Sequence, residues 1–288
     1  MAIRSILMPL SSSGQTEERL RGALAVARYF GAQLDILHAQ ANPRQFLPKE
    51  ALHMSMPAEV VKQIEYTSMQ QAAAEANQIR TLLQKLCCEE GIVLVDGTDV
   101  TQPVPVASWR VVQGLRSELV AELGKVSDLL IIPQPRDGIP TATFEAAILR
   151  SGRPVLLVPR TMSTFKAERI LVAWNGSTEA ARAVGLALPL LQCASEVMIV
   201  TGNRAKACNP PPDKLKGYLA RQGVQACCQV LDNHHSSTGS ALLSMANQKQ
   251  TDLLVMGAFT HRRLHEQLFG GVTRHMVSNS PLPVFMAH

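Results

Sequence analysis

Along this chain, short runs of uninterrupted apolar residues alternate with longer stretches whose alanines, leucines and valines recur at helical spacing. In the carboxy-terminal half the apolar runs fall at 170–174, 196–200, 224–231, 253–256 and 284–287. Helices are expected between them, over 179–191, 213–222, 239–249 and 270–278. A strand that is apolar throughout, and not merely at every second residue, is covered on both faces, which points to a parallel sheet. Strands alternating with helices predict a doubly wound α/β fold.

The pattern occurs twice. Ser5-Ile6-Leu7-Met8-Pro9-Leu10 returns as Arg169-Ile170-Leu171-Val172-Ala173-Trp174, each followed by small polar residues and an alanine-rich helical stretch. Ser127-Asp128-Leu129-Leu130-Ile131-Ile132 returns as Thr251-Asp252-Leu253-Leu254-Val255-Met256, and Arg153-Pro154-Val155 as Leu282-Pro283-Val284. The expected organisation is two tandem domains, 1–160 and 166–288, each with a five-stranded parallel sheet, joined by the short polar stretch 161–166. The first half is the longer one, and its surplus falls in the polar, helical stretch 57–90, within a longer insert over 40–90 that covers either its own domain or the second.

Composition narrows the function. At 288 residues, 46% hydrophobic and 18% charged, the chain is long enough for two folded cores. Aromatic residues are only 4%, which leaves few rings for stacking bases, and a net charge of +5 is no dense basic stripe, so no nucleic-acid partner is expected. No apolar run approaches the roughly 20 residues of a membrane span, and the opening ten residues do not form a signal peptide, so a cytoplasmic protein without a membrane partner is expected. Cys87, Cys88, Cys193, Cys208, Cys227 and Cys228 show neither a metal spacing nor a disulfide framework, and no metal site is expected. His234 and His235 read as a polar loop, and Trp109 as a packing anchor. No phosphate loop with a closing Gly-Lys-Ser/Thr, no zinc helix and no nucleophile elbow is present.

In an open parallel sheet, ligands gather beyond the carboxyl ends of the strands. The loop after the fourth strand of the second half, Gly257 to Arg274, begins with a glycine and carries Gly270-Gly271 at the expected start of a helix, where free N–H groups favour an anion. His261, Arg262, Arg263 and Arg274 add positive charge. The same glycines also suit a plain turn, and the arginines an ordinary solvated face. In the first half the corresponding segment is Pro133-Gln134-Pro135-Arg136-Asp137-Gly138. Proline has a fixed φ and no N–H, so this loop cannot form an equivalent phosphate cradle, and the first half is expected to have lost the site.

Together these segments resemble the universal stress protein family in its tandem form. The family's signature is Gly, two residues, Gly, nine residues, then Gly and Ser or Thr. Gly257 and Gly270 match its first and third glycines, Thr260 replaces the second, and Gly271 replaces the hydroxyl residue. Val172-Ala173-Trp174-Asn175-Gly176-Ser177 matches the first strand and loop, with Asn175 where an aspartate commonly meets adenine. The resemblance implies an adenine-nucleotide α-hydrolase-like fold and an ATP-like adenine nucleotide in the second domain. It places Asn175 and Val200 toward the base and Gly257, Thr260, Gly270 and Gly271 around ribose and phosphates, with Met256, Val272 and Thr273 also among the ligand-binding residues. It also implies pairing of the last strands, Val155–Val158 with Val284–Ala287, as a pseudo-dimer within the chain that can pair again as a homodimer. The implied role is a stress-response regulatory module with unidentified protein partners and no dedicated catalytic activity. Two alternatives stand beside it: an interaction module that binds no nucleotide, and a slow adenine-nucleotide hydrolase.

Overall fold

The computed structural model describes residues 3–10, 16–40, 58–96, 105–202, 208–231, 237–259 and 271–288. The first half runs β1 (Ser5–Leu10), α1 (Thr16–Phe30), β2 (Gln33–Gln40), α2 (Ala58–Glu90), β3 (Val93–Asp96), β4 (Val106–Gln113), α3 (Arg116–Leu123), β5 (Leu129–Pro133), α4 (Ala142–Arg150) and β6 (Val155–Val158). The second runs β7 (Arg169–Ala173), α5 (Thr178–Cys193), β8 (Glu196–Gly202), α6 (Pro212–Arg221), β9 (Ala226–Leu231), α7 (Thr238–Gln248), β10 (Leu253–Gly257), α8 (Gly271–Asn279) and β11 (Val284–Ala287).

The eleven strands among the described residues form one sheet in the order β3-β4-β2-β1-β5-β6-β11-β10-β7-β8-β9. Neighbours are parallel except at the centre, where β6 meets β11 antiparallel and Leu156 faces Phe285. The first half departs from the five-strand expectation. Its described residues form six strands, because β3 adds a parallel edge strand beside β4. That strand is only four residues long and follows α2 after a single turn, too short for an apolar pattern to announce it.

The strand interiors are apolar because both faces are covered. On β1, Ile6 and Met8 point into one core layer and Leu7 into the other; on β10, Leu253 and Val255 divide from Leu254 and Met256 in the same way. The first layer lies under α1, α2, α5 and α6, the second under α3, α4, α7 and α8. Each layer runs across the β6–β11 seam. The repeated Asp128 and Asp252 serve the same purpose in the two halves. Each carboxylate accepts the backbone N–H that opens the adjacent strand, from Arg4 and Ser5 at 2.8 and 3.0 Å for Asp128, and from Arg169 at 2.8 Å for Asp252.

Helix α2, 33 residues long, buries Ala76, Ile79, Leu83 and Leu86 at helical spacing and packs on α1, so this part of the insert covers its own half. Arg21–Glu89 and Arg28–Glu90 add exposed ion pairs of small individual weight between the two helices. Cys87, on the same helix, is buried, and that burial, with Cys88 beside it, pushes the thiol up to about 12. The stretch between the halves is held against the first: Phe165 packs edge-on to Tyr29 at 4.9 Å, and a Cβ on Gly22 would come within 2.8 Å of the Met162 carbonyl.

Trp109 is a packing residue. It is buried and stacks on His38, with ring centroids 5.5 Å apart. The Nδ1 of His38 is buried with no hydrogen-bond partner among the described residues. Burial lowers its pKa from the ordinary 6.5; Arg116 adds to the shift and Glu75 opposes it.

Two outcomes follow. Phe285, fully buried at the seam, touches the layer shared by both halves, so Phe285→Ala should cost about 3–5 kcal/mol in a single cooperative denaturant transition. A histidine with a lowered folded pKa leaves the unfolded chain holding the extra proton. Stability therefore falls as pH drops through the ordinary value and levels off below the folded one. Between about pH 7.5 and about pH 5.5, the melting temperature of the wild type should fall further than that of His38→Phe.

Candidate nucleotide site

The second-half cavity opens where the sheet's winding reverses, at the carboxyl ends of β7 and β10. It holds about 170 Å³ and is walled by Ala173, Val200, Leu231, Leu242, Met256 and Val272, with Asn175, Thr238, Gly257, Gly271 and Thr273 at its polar margin. Seven residues singled out in the sequence thus come together: Asn175, Val200, Met256, Gly257, Gly271, Val272 and Thr273. Thr260 and Gly270 lie outside the described residues, as do His261, Arg262, Arg263, His234 and His235.

Gly257 has a structural reason to be glycine. A Cβ there would collide with the Ala180 backbone nitrogen, so the first turn of α5 rests directly on the end of β10. Gly271 has no such reason: nothing among the described residues lies within 4 Å of where its Cβ would be. It opens α8, where backbone N–H groups lack helical partners and the helix dipole favours an anion.

The loop after β7 is shaped by its own hydrogen bonds. Asn175 Oδ1 accepts the Ser177 N–H at 3.1 Å, and Ser177 Oγ in turn accepts the Ala180 N–H at 3.1 Å as the cap of α5. Asn175 is thereby held at the cavity mouth with its amide N–H groups as the donors it can offer. Gly176 turns this loop at φ +75°, a conformation that suits glycine. Trp174 anchors it from below, its indole N–H donating to the Pro210 carbonyl at 2.9 Å. Thr273 is buried, and its Oγ1 accepts the Phe259 N–H at 3.4 Å, so it braces the chain leaving β10.

Sequence reasoning missed Leu231, Thr238 and Leu242. The signal was available in principle: Leu231 ends a strand and Thr238 and Leu242 begin the helix after it, all at the same sheet edge. Periodicity placed these elements without saying which side chains lean toward the crevice.

At the matching edge of the first half a separate cavity of about 320 Å³ is lined by Pro9, Ile132, Pro133, Gln134 and Pro135, with arginine side chains around them. Among the described residues that line it there is no glycine. Among the described residues no group of three or more His, Cys, Asp or Glu side chains could hold a metal, and no helix is long and apolar enough to cross a membrane.

The profile of the universal stress protein family matches residues 166–288. The crystal structure of a universal stress protein from Archaeoglobus fulgidus DSM 4304 superposes over 98% of this chain and 97% of its own, with TM-score 0.67 and 15% identity. A functionally unknown protein from Pseudomonas aeruginosa PAO1 matches over 99% and 92%, with TM-score 0.56 and 15% identity. A universal stress protein from Archaeoglobus fulgidus crystallised with dAMP matches 55% of this chain and 98% of its own, at TM-score 0.32 and 15% identity. No curated protein matches the sequence. The profile match identifies residues 166–288 as a universal stress protein domain, and the whole-chain superpositions show the fold.

Proposed function

We propose that the second-half cavity binds an ATP-like adenine nucleotide and that the protein acts as a cytoplasmic stress-response regulatory module. The observation that supports this reading is the convergence of Asn175, Val200, Met256, Gly257 and Gly271 on one apolar crevice at a sheet switch point. A cavity of about 170 Å³ is smaller than the usual 300–1,000 Å³ of small-molecule sites, so it suits the base end of the ligand. The base lies against Val200, Leu231 and Met256, and the Asn175 amide donates to its edge. Ribose and phosphates then extend past Gly257 toward the first turn of α8. The described lining carries no carboxylate to activate water, which favours a role in binding over one in turnover.

A second reading, an interaction module without nucleotide, draws on Gly257, whose identity packing against α5 explains without any ligand. Two measurements separate the readings. Denaturing the purified protein and analysing the extract by chromatography with mass detection should release an adenine nucleotide, and added ATP should raise the melting temperature by several degrees. If neither occurs, the interaction module is the reading that stands.

Two variants refine the expectation. Gly271→Ser restores a hydroxyl at an uncrowded position and should tighten ATP binding about fivefold, the worth of one neutral hydrogen bond of about 1 kcal/mol, as read by calorimetry. Gly257→Ala should instead destabilise the fold by about 1–3 kcal/mol with or without ATP, because its Cβ meets the backbone of α5.

A further inference from the structure

The first-half cavity has no glycine among the described residues of its lining, and it is strongly basic. Arg19 reaches it from α1, Arg116 from the first turn of α3, Arg136 from the loop after β5, and Arg160 from the segment after β6. Among the described residues of the lining, Asp137 is the only acidic side chain. Neutral groups hold several of these guanidinium groups in place: Arg116 Nε donates to Thr143 Oγ1 at 3.1 Å, Arg160 Nη1 to the Gln134 carbonyl at 3.3 Å, and Arg19 Nη2 to Thr16 Oγ1 at 3.2 Å. The Nε of Arg160 is buried with no hydrogen-bond partner among the described residues.

Such a cluster is costly without an anion. Like charges repel, and a buried guanidinium N–H left unpaired forfeits its hydration. The cost shows in the protonation equilibria. Burial, then the charges of Arg160, Arg116 and Arg136, pulls Arg19 down to about 10, with Glu18 opposing. Arg160 is lowered by burial and by Arg136, against Asp137, and Arg116 by burial. Two helix starts add to the positive field, since Arg116 opens α3 while Thr141 and Thr143 flank the opening of α4.

We propose that this cavity is an anion site for a multiply charged phosphate group, held by the side chains of Arg19, Arg116, Arg136 and Arg160. Guanidinium groups suit this guest because each presents a planar pair of donors to two phosphate oxygens and keeps its charge in a partly buried place. Recognition here runs through side chains, where the second half offers backbone N–H groups, so the two sites need not share a ligand. The proposal is independent of nucleotide binding in the second half.

The test uses the full chain and three probes at constant ionic strength: inorganic phosphate, inorganic pyrophosphate and phenyl phosphate. Affinity is read by calorimetry and stability by melting temperature. At least one probe should bind and raise the melting temperature. Arg160→Gln and the exposed Arg136→Gln should each weaken it roughly ten- to a hundredfold, as expected for a lost charge-assisted hydrogen bond. Without anion, Arg136→Gln should melt no lower than the wild type, because removing one charge relieves repulsion. Tighter binding of pyrophosphate than of phenyl phosphate identifies a free phosphate chain as the guest, and the reverse identifies an organic monoester. No response to any probe overturns the proposal. So does an unchanged affinity in both variants, which would place the anion elsewhere, or a fall in anion-free stability of Arg136→Gln with affinity retained, which would make the cluster a structural one.

Discussion

The contact that shapes both ends of this molecule is the approach of a helix to the end of its central strand. In the second half, Gly257 has no side chain, and the first turn of α5 lies directly on β10. In the first half the strand closes with Pro133, and α1 packs along α2. At this end of the sheet the second half has a narrow apolar crevice. The first half has a wider cavity that arginines line. Two halves that share a five-strand order, with β3 added in the first, thus present unlike chemistry at matching positions.

The sheet unites them. Because β6 and β11 pair directly, the apolar layers above and below pass from one half to the other without interruption. Side chains across the seam reinforce it, with Gln134 Nε2 donating to the Ser280 carbonyl at 2.7 Å and Ser278 Oγ donating to the Gly138 carbonyl. A strand buried on both faces has little tolerance for polar substitution, which is why its sequence is apolar at every position and easily recognised.

That legibility had limits set by physics. The strands 170–174, 253–256 and 284–287 were readable from unbroken apolar runs, and the helices between them from periodicity. Edge strand β3 was not, since four residues at a sheet margin carry no distinctive pattern. At the crevice, the sequence marked Gly257 and the Gly270-Gly271 pair but could not tell that Gly257 is required by a neighbouring helix and Gly271 is not. The arginine cluster was invisible in sequence. Arg19, Arg116, Arg136 and Arg160 are scattered over more than half the first domain, and only the return of four separate segments to one sheet end brings them together.

The seam also governs how copies of the chain can meet. Strands β6 and β11 spend their hydrogen-bonding edges on each other, so neither is left to recruit a second molecule. The outer margins of the described sheet are instead β3 and β9, at its two far ends. Both carry exposed apolar residues, Val93 on one and Val230 on the other. Any larger assembly built through the sheet must grow outward from those extremities, lengthening it and keeping the two crevices on separate parts of one continuous ribbon.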